Sequence, residues 1–517
     1  MEKIKMFKNV TMSLADLLGK EYTNAVVAAN YALGALSLGE ASALANDKVD
    51  FFPECVQKKN SEMLAKVGEQ VIDPMPEITA GAPTDSFRKA ASRDAAPVAA
   101  RGYFRIGEDG KLYFIGKSEH YHASLGHAFP GYRLIDKARA LGIPNATHNN
   151  TRGHITRLCE EKLIASVNGI DWDDAAEIGK VIASTEPKVL NRVINLETGS
   201  LAVEAGFKMM LARFYKLSPE FPEPKYAGKV PVFFVMGDKV GGVTANYHGT
   251  TTLIQTFRGL WEDIRAKSEN AEIYKVVPVS INDIDDFEAK IKKYNSGNYK
   301  TAGFMHEIIL MNYGGIRLEK SYLKRAHALC AEYDTPTMVD EIQSCMWYDG
   351  MFQFRLYDLK PDFVIIGKGF PGGEYPASKV ITTAEYDNLN QFGALVTNGQ
   401  EELASLSYLV TMKFALENRE IIAQNCAYFE EKLGELVKKY PEKFTKVEGS
   451  GLLAAMHCEN VEAAKTFMGE LHERCIDASA QIYKQNCLPA VLFKPPLIAD
   501  RDAIDFICAA IDEIASK

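Results

Sequence analysis

The chain has 517 residues, 47% of them hydrophobic and 25% charged, the make-up of a globular protein with room for two or three domains. Its formal net charge of -9 argues against a nucleic-acid-binding surface, which needs a basic excess to meet phosphates, and leaves room only for a local basic pocket. Nine cysteines, odd in number, scattered and never spaced as CxxC, point to free thiols in a reducing cytoplasm.

The opening stretch MEKIKMFKNVTMSLADLL lacks a continuous apolar core followed by a small-residue cleavage site, so no secretory signal is expected. Residues 22–39 carry no charge, but Thr23, Asn24 and Asn30 interrupt the run, which reads as a buried or interface helix and not as a membrane span. Residues 1–95 form an Ala-rich helical extension that ends in a proline-containing loop. The segment YFRIGEDGKLYFIG then predicts a β-hairpin, since two alternating aromatic runs flank Glu-Asp-Gly. Residues 96–160 are assigned to the N-terminal part of a small domain and the entry to a large one.

Across 161–400, helical patterns alternate with the apolar runs KVLNRVINL, VPVFFVM, AEIYKVVPV, TAGFMHEIIL, TPTMVDE, DFVIIGKG and KVITT. That alternation predicts an α/β domain, a large and mostly parallel sheet with helices on both faces. Residues 401–440 read as one long helix leaving that domain. The rest of 401–517 reads as strand, strand, helix, strand, helix, a smaller α+β domain. The acidic run from Asn282 to Asp286 reads as a helix start.

The chemistry concentrates where Asp340 closes the apolar strand in TPTMVDE and Lys368 follows the one in DFVIIGKG. Taken singly, Lys368 reads as a surface lysine in a glycine turn, and Asp340 as a helix cap. Together, across one strand–helix–strand unit, they bring an amine and a carboxylate to one edge of a parallel sheet, where α/β folds keep their ligands. Pyridoxal phosphate chemistry needs that pair: a lysine to form a Schiff base, and a carboxylate to keep the pyridine nitrogen protonated.

The segment DEIQ, followed by PDF and by GKGFPGG, resembles the class III (subgroup II) aminotransferases of fold type I, whose pattern is DEVQ, then PDI, then GK with GG. The resemblance implies pyridoxal 5'-phosphate as cofactor. It also implies that Asp340 pairs with the pyridine nitrogen, Ile342 packs on one ring face, Gln343 contacts the ring hydroxyl and Lys368 carries the Schiff base. Upstream, NLETGSLAVEAGFKMMLARFY is similar to the family's NSGTEANEAAIKLAR, which makes Gly199 and Ser200 phosphate ligands at a helix N-terminus, with Leu201 where the family has Glu. Asn246-Tyr247-His248-Gly249 matches the family's aromatic-His-Gly element, so Tyr247 would stack on the ring with His248 beside it. Thr397, in TNGQEELA, matches the threonine of TFGGNPLA that reaches the neighbouring subunit's cofactor phosphate, which implies a homodimer with its active site at the interface. LGHAFPGY and AVLFKPPL extend the likeness toward both ends, over roughly residues 100–517.

The chain departs from the family in two places. HEIILMNYGG stands for EPIQGEGG, with Glu307 near the first acid and Asn312 or Tyr313 near the second, and SCMWYDG stands for GFGRTG. No substrate-carboxylate residue follows, Arg317 and Lys494 being candidates. Glu119, His120, His122 and His127 carry metal-ligand chemistry, but His127 falls in a non-metal motif and His120 and His122 would share a strand face, so no metal site is assigned. The implied activity moves an amino group between a small-molecule amino acid or amine and a keto acid or aldehyde. A racemase, epimerase or aminomutase on the same scaffold, or a non-catalytic interaction module, are the alternatives.

Overall fold

The computed structural model describes residues 6–90, 95–344, 346–348, 350–484 and 486–517. Cys345, Asp349 and the first five residues, on which parts of the thiol, SCMWYDG and leader readings fall, lie outside the described residues. The other eight cysteines are free thiols.

A seven-stranded sheet forms the centre, in the order Leu190–Leu196, Ser378–Thr383, Phe363–Ile366, Thr337–Asp340, Tyr299–His306, Val230–Met236, Lys275–Val279. Ser378–Thr383 runs antiparallel to both neighbours and the other pairings are parallel. Successive side chains of a strand point to opposite faces, and the core divides accordingly. Val232, Phe234 and Met236 enter one apolar cluster, and Phe233 and Val235 the other. The same split separates Val364 and Ile366 from Phe363 and Ile365. Both faces are thus covered, as a parallel sheet requires. Helix Gly199–Leu211 packs on the strands Ser378–Thr383 and Phe363–Ile366. Each of the seven predicted runs falls on one of these strands, with Tyr299–His306 and Ser378–Thr383 beginning one or two residues before their runs.

The hairpin forms between Phe104–Gly107 and Leu112–Phe114, with Gly110 at φ +80 in its turn and an added Cβ there only 2.2 Å from the Ile72 carbonyl oxygen. A third strand, Pro97–Arg101, joins it. In the N-terminal segment, Phe7 and Phe52 pack with Phe129 and Phe414 in one aromatic cluster. The uncharged run forms helix Lys20–Ala32, which is not buried in the chain: Tyr31 is 54% and Leu33 82% exposed. Among the described residues no helix is long and apolar enough to cross a membrane. The acidic run starts helix Ile284–Lys293, with Asp283 as N-cap.

The expected single helix over 401–440 is two, Glu402–Glu417 and Arg419–Lys439. Asn418 breaks it because its side-chain amide binds main chain: it accepts from Lys8 N at 2.7 Å and donates to the Phe414 carbonyl at 3.1 Å. The C-terminal sheet has four antiparallel strands, Phe444–Ser450, Leu453–Cys458, Ala490–Phe493 and an edge strand, Ser479–Gln481, too short to leave an alternating pattern in the sequence.

Candidate active site

The parallel strands Thr337–Asp340 and Phe363–Ile366 end at one edge of the sheet, and a cavity of about 520 Å³ opens there. Asp340, Ile342, Gln343, Lys368, Gly199, Ser200, Tyr247 and His248 all line it, so the structure brings together eight of the nine residues read from the sequence. Thr397 is exposed and does not line the cavity of its own chain.

Asp340 is nearly fully buried and fixed at both oxygens. Oδ1 accepts from Ile342 N at 3.0 Å, and Oδ2 lies 2.9 Å from His248 Nδ1. The His248 Nε2 atom is buried and has no partner among the described residues. What aims His248 is Asn246, whose side chain accepts from Met236 N at 2.8 Å and donates to the Val243 carbonyl at 2.9 Å, pinning the loop to the end of Val230–Met236. Gln343 Nε2 donates to Glu307 Oε1 at 3.1 Å. Burial, with the Asp340 carboxylate close by, pushes the Glu307 carboxyl well above the usual range.

Helix Gly199–Leu211 begins at the cavity with Thr198 as N-cap. A Cβ on Gly199 would meet Ile342 Cδ1 at 2.7 Å. Ser200 Oγ accepts from Thr250 N at 2.9 Å. Gly249, at φ +129, lets this loop approach: an added Cβ would stand 2.7 Å from Ser200 Cα, which is backbone and cannot turn away. Gly249→Ala is therefore expected to cost about 1–3 kcal/mol of stability and to weaken cofactor binding, checked by melting temperature and by cofactor titration.

Lys368 follows its strand at φ +41, with Nζ 5.1 Å from the centre of the Tyr121 ring. Lys494 and Lys117 approach the same ring at 4.5 and 5.2 Å. Tyr121 is delivered by an unusual turn. Ser118, Glu119, His120 and Tyr121 all have φ between +47 and +74, a left-handed run that costs roughly 1–2 kcal/mol per residue. Ser118 Oγ donates to the Lys494 carbonyl, and Glu119 is gripped by Arg105 and His127, which holds the turn in place. His120 and His122 are thus not on a strand face, as the sequence suggested; this turn takes them to the cavity wall. Alternating polarity gave no signal of four consecutive left-handed residues. Burial and the nearby ammonium groups bring His120 down to about 3, so it is neutral. Among the described residues no group of three or more His, Cys, Asp or Glu is arranged to hold a metal.

Of the carboxylate-binding candidates, Arg317 is exposed and away from the cavity wall, while Lys494 is fully buried, donating to the Gln343 carbonyl with Nζ 3.5 Å above the Trp347 ring. Trp347 takes the space beside Gly369, where a Cβ would be 2.2 Å from its ring. Next to Asp340, Glu341 is fully buried and accepts from Tyr348 Oη, Gln353 N and Phe354 N. Burial outweighs these bonds and raises its carboxyl from an ordinary 4.5 to about 7. Stability held in acid is therefore lost as pH rises through about 7. Relative to Glu341→Gln, the wild type is expected to lose up to about 3 kcal/mol between roughly pH 5 and pH 8 in unfolding measurements.

These residues fit pyridoxal phosphate. Helix Gly199–Leu211 opens on the cavity with an N-terminus suited to an anion, and the buried His248–Asp340 pair can face a cationic nitrogen.

The family model for class-III aminotransferases matches residues 129–515. The ornithine aminotransferase of Exiguobacterium sp. is 27% identical over 340 residues, 65% of this chain and 76% of that one. The putrescine aminotransferase of Pectobacterium atrosepticum is 25% identical over 401 residues, 75% of this chain and 79% of that one. Among solved structures, adenosylmethionine-8-amino-7-oxononanoate aminotransferase from Methanocaldococcus jannaschii superposes with a TM-score of 0.64 at 19% identity, covering 89% of this chain and 98% of that one, a likeness of fold. With the matched span running from before the central sheet to the last helix, the chain belongs to the class-III aminotransferases, which use pyridoxal phosphate.

Proposed function

We propose that Lys368 and Asp340 are the working pair of a transamination between a small-molecule amino acid or amine and a keto acid or aldehyde. Pyridoxal phosphate, when bound, supplies a carbonyl that takes up the amino group and a protonated ring that withdraws electrons. Lys368 Nζ would hold the cofactor's carbonyl carbon, water leaving as that bond forms, and, once freed by the incoming amine, would take the proton from the substrate carbon that bears the amine and return it to the cofactor carbon. Asp340 holds the proton on the ring nitrogen, and His248 keeps that carboxylate oriented. Ile342 covers one ring face and Tyr247 the other. Gln343 turns its amide to the ring hydroxyl. The N–H groups at Gly199 and Ser200 receive the phosphate, aided by the helix dipole.

A homodimer completes the site, with the Thr397 hydroxyl reaching the phosphate held by the other subunit; its exposure outside its own cavity supports this. Tyr31 of helix Lys20–Ala32 and the following Leu33, exposed in the single chain, suit the same interface. The scattered thiols suit the cytoplasm.

The observation that carries the proposal is the convergence of Lys368, Asp340 and the Gly199 helix start on one cavity. A half-reaction screen tests it. An amino donor added without acceptor should change the cofactor absorbance, and a keto acid should restore it. No change with any α-amino acid, ω-amino acid or amine would refute transamination.

A further inference from the structure

Lys494 is a buried amine that none of the steps above uses. It follows strand Ala490–Phe493, and its main chain is tied to the segment that delivers Tyr121: Lys494 N donates to the Gly116 carbonyl at 2.8 Å, and the Lys494 carbonyl accepts from Ser118 Oγ. The side chain is 0% exposed, does not line the cavity, and ends at the Gln343 carbonyl. Burying an ammonium is costly unless its surroundings replace water. Here the Gln343 carbonyl does so together with two aromatic rings, Trp347 with its centre 3.5 Å from Nζ and Tyr121 at 4.5 Å, whose faces attract a desolvated cation. Trp347 comes from SCMWYDG, where the chain departs from its family, and is itself fixed, with Nε1 donating to the Pro495 carbonyl at 2.9 Å.

Each of these contacts leads to the cofactor site. Gln343 lines the cavity, the Tyr121 ring also faces Lys368 Nζ at 5.1 Å, and Trp347 fills the space at Gly369, the residue after Lys368. The other titratable groups around Lys368 come from three elements. On the left-handed turn, His120 is neutral, His122 is lowered by burial, and the buried Tyr121 hydroxyl is raised. Lys117, just before that turn, is brought down to about 8, chiefly by burial, with Lys368 adding repulsion. Beyond strand Tyr299–His306, burial and Asp340 hold Glu307 well above the usual range, and at the end of its own strand Asp340 is tied to His248. Lys494 adds to this group a positive charge locked in place. A like charge in a low-dielectric site disfavours a second proton nearby.

We infer that Lys494 is a positioning residue of the cofactor site: its ammonium fixes the Gln343 main chain and sets a charge beside Lys368 that disfavours a proton on the lysine–cofactor linkage. The inference rests on the reading of Lys368 and Gln343 given above. It also removes Lys494 from the groups available to a substrate carboxylate, since the amine is fully buried behind the cavity wall.

A pH titration of the cofactor-loaded protein without substrate, followed by cofactor absorbance, reads that proton directly. Lys494→Met and Lys494→Gln remove the charge and should move the midpoint up by about 1 pH unit, whereas Lys494→Arg keeps it and should stay close to wild type. Lys494→Gln retains a donor for the Gln343 carbonyl and covers the case in which Lys494→Met does not fold. An unmoved midpoint in a loaded uncharged variant, or an equal rise in Lys494→Arg, would overturn the assignment. A wild type that takes up no cofactor at Lys368 refutes the catalytic reading, whereas loaded variants with an unmoved midpoint refute the role of Lys494 alone.

Discussion

Lys368→Ala is expected to abolish turnover, with kcat falling by at least roughly 10²–10⁴-fold, the range that a positioned proton-transfer group contributes. The substitution removes both roles proposed for Lys368: the amine to hold the cofactor's carbonyl carbon, and the base to take the substrate proton. Folding should survive, since alanine at φ +41 meets the same backbone cost as lysine there. The variant should therefore melt close to wild type, bind cofactor without its covalent link, and regain part of its activity with added methylamine. A variant of unchanged turnover would remove Lys368 from the mechanism, whatever the fold.

Asp340→Asn comes next in size. The substitution keeps an oxygen for Ile342 N but removes the charge proposed to hold a proton on the ring nitrogen. Each pKa unit of that preference corresponds to about 1.4 kcal/mol. Loss of a preorganised charge of this kind costs roughly 10²–10³-fold in kcat, with a smaller loss for His248→Gln, which acts through Asp340. Steady-state kinetics, read with the cofactor spectrum at several pH values, distinguish a lost ring proton from lost binding. Equal effects of the two substitutions would make the pair a structural unit.

Much of the site is legible in the chain because its parts sit at strand ends and one helix start, where sequence and geometry are tied. Asp340 closes the strand in TPTMVDE and Lys368 follows the strand in DFVIIGKG, and parallel pairing of Val339 with Val364 brings both to the same edge. Gly199 and Gly249 carry the backbone approaches that a side chain would block. What the pattern does not carry is long-range or locally strained. The left-handed run from Ser118 to Tyr121 contains no glycine, and tertiary contacts from Lys494, Arg105 and His127 hold it. The break at Asn418 depends on Lys8, far away in sequence, and propensity alone continues the helix.

The central claim is that one lysine holds the cofactor. Borohydride reduction of the cofactor-loaded protein, followed by proteolysis and mass spectrometry, tests it most directly. The account predicts a single pyridoxyl-labelled peptide carrying the modification on Lys368. A label on Lys117, Lys379 or Lys494, or no label at all, would contradict it.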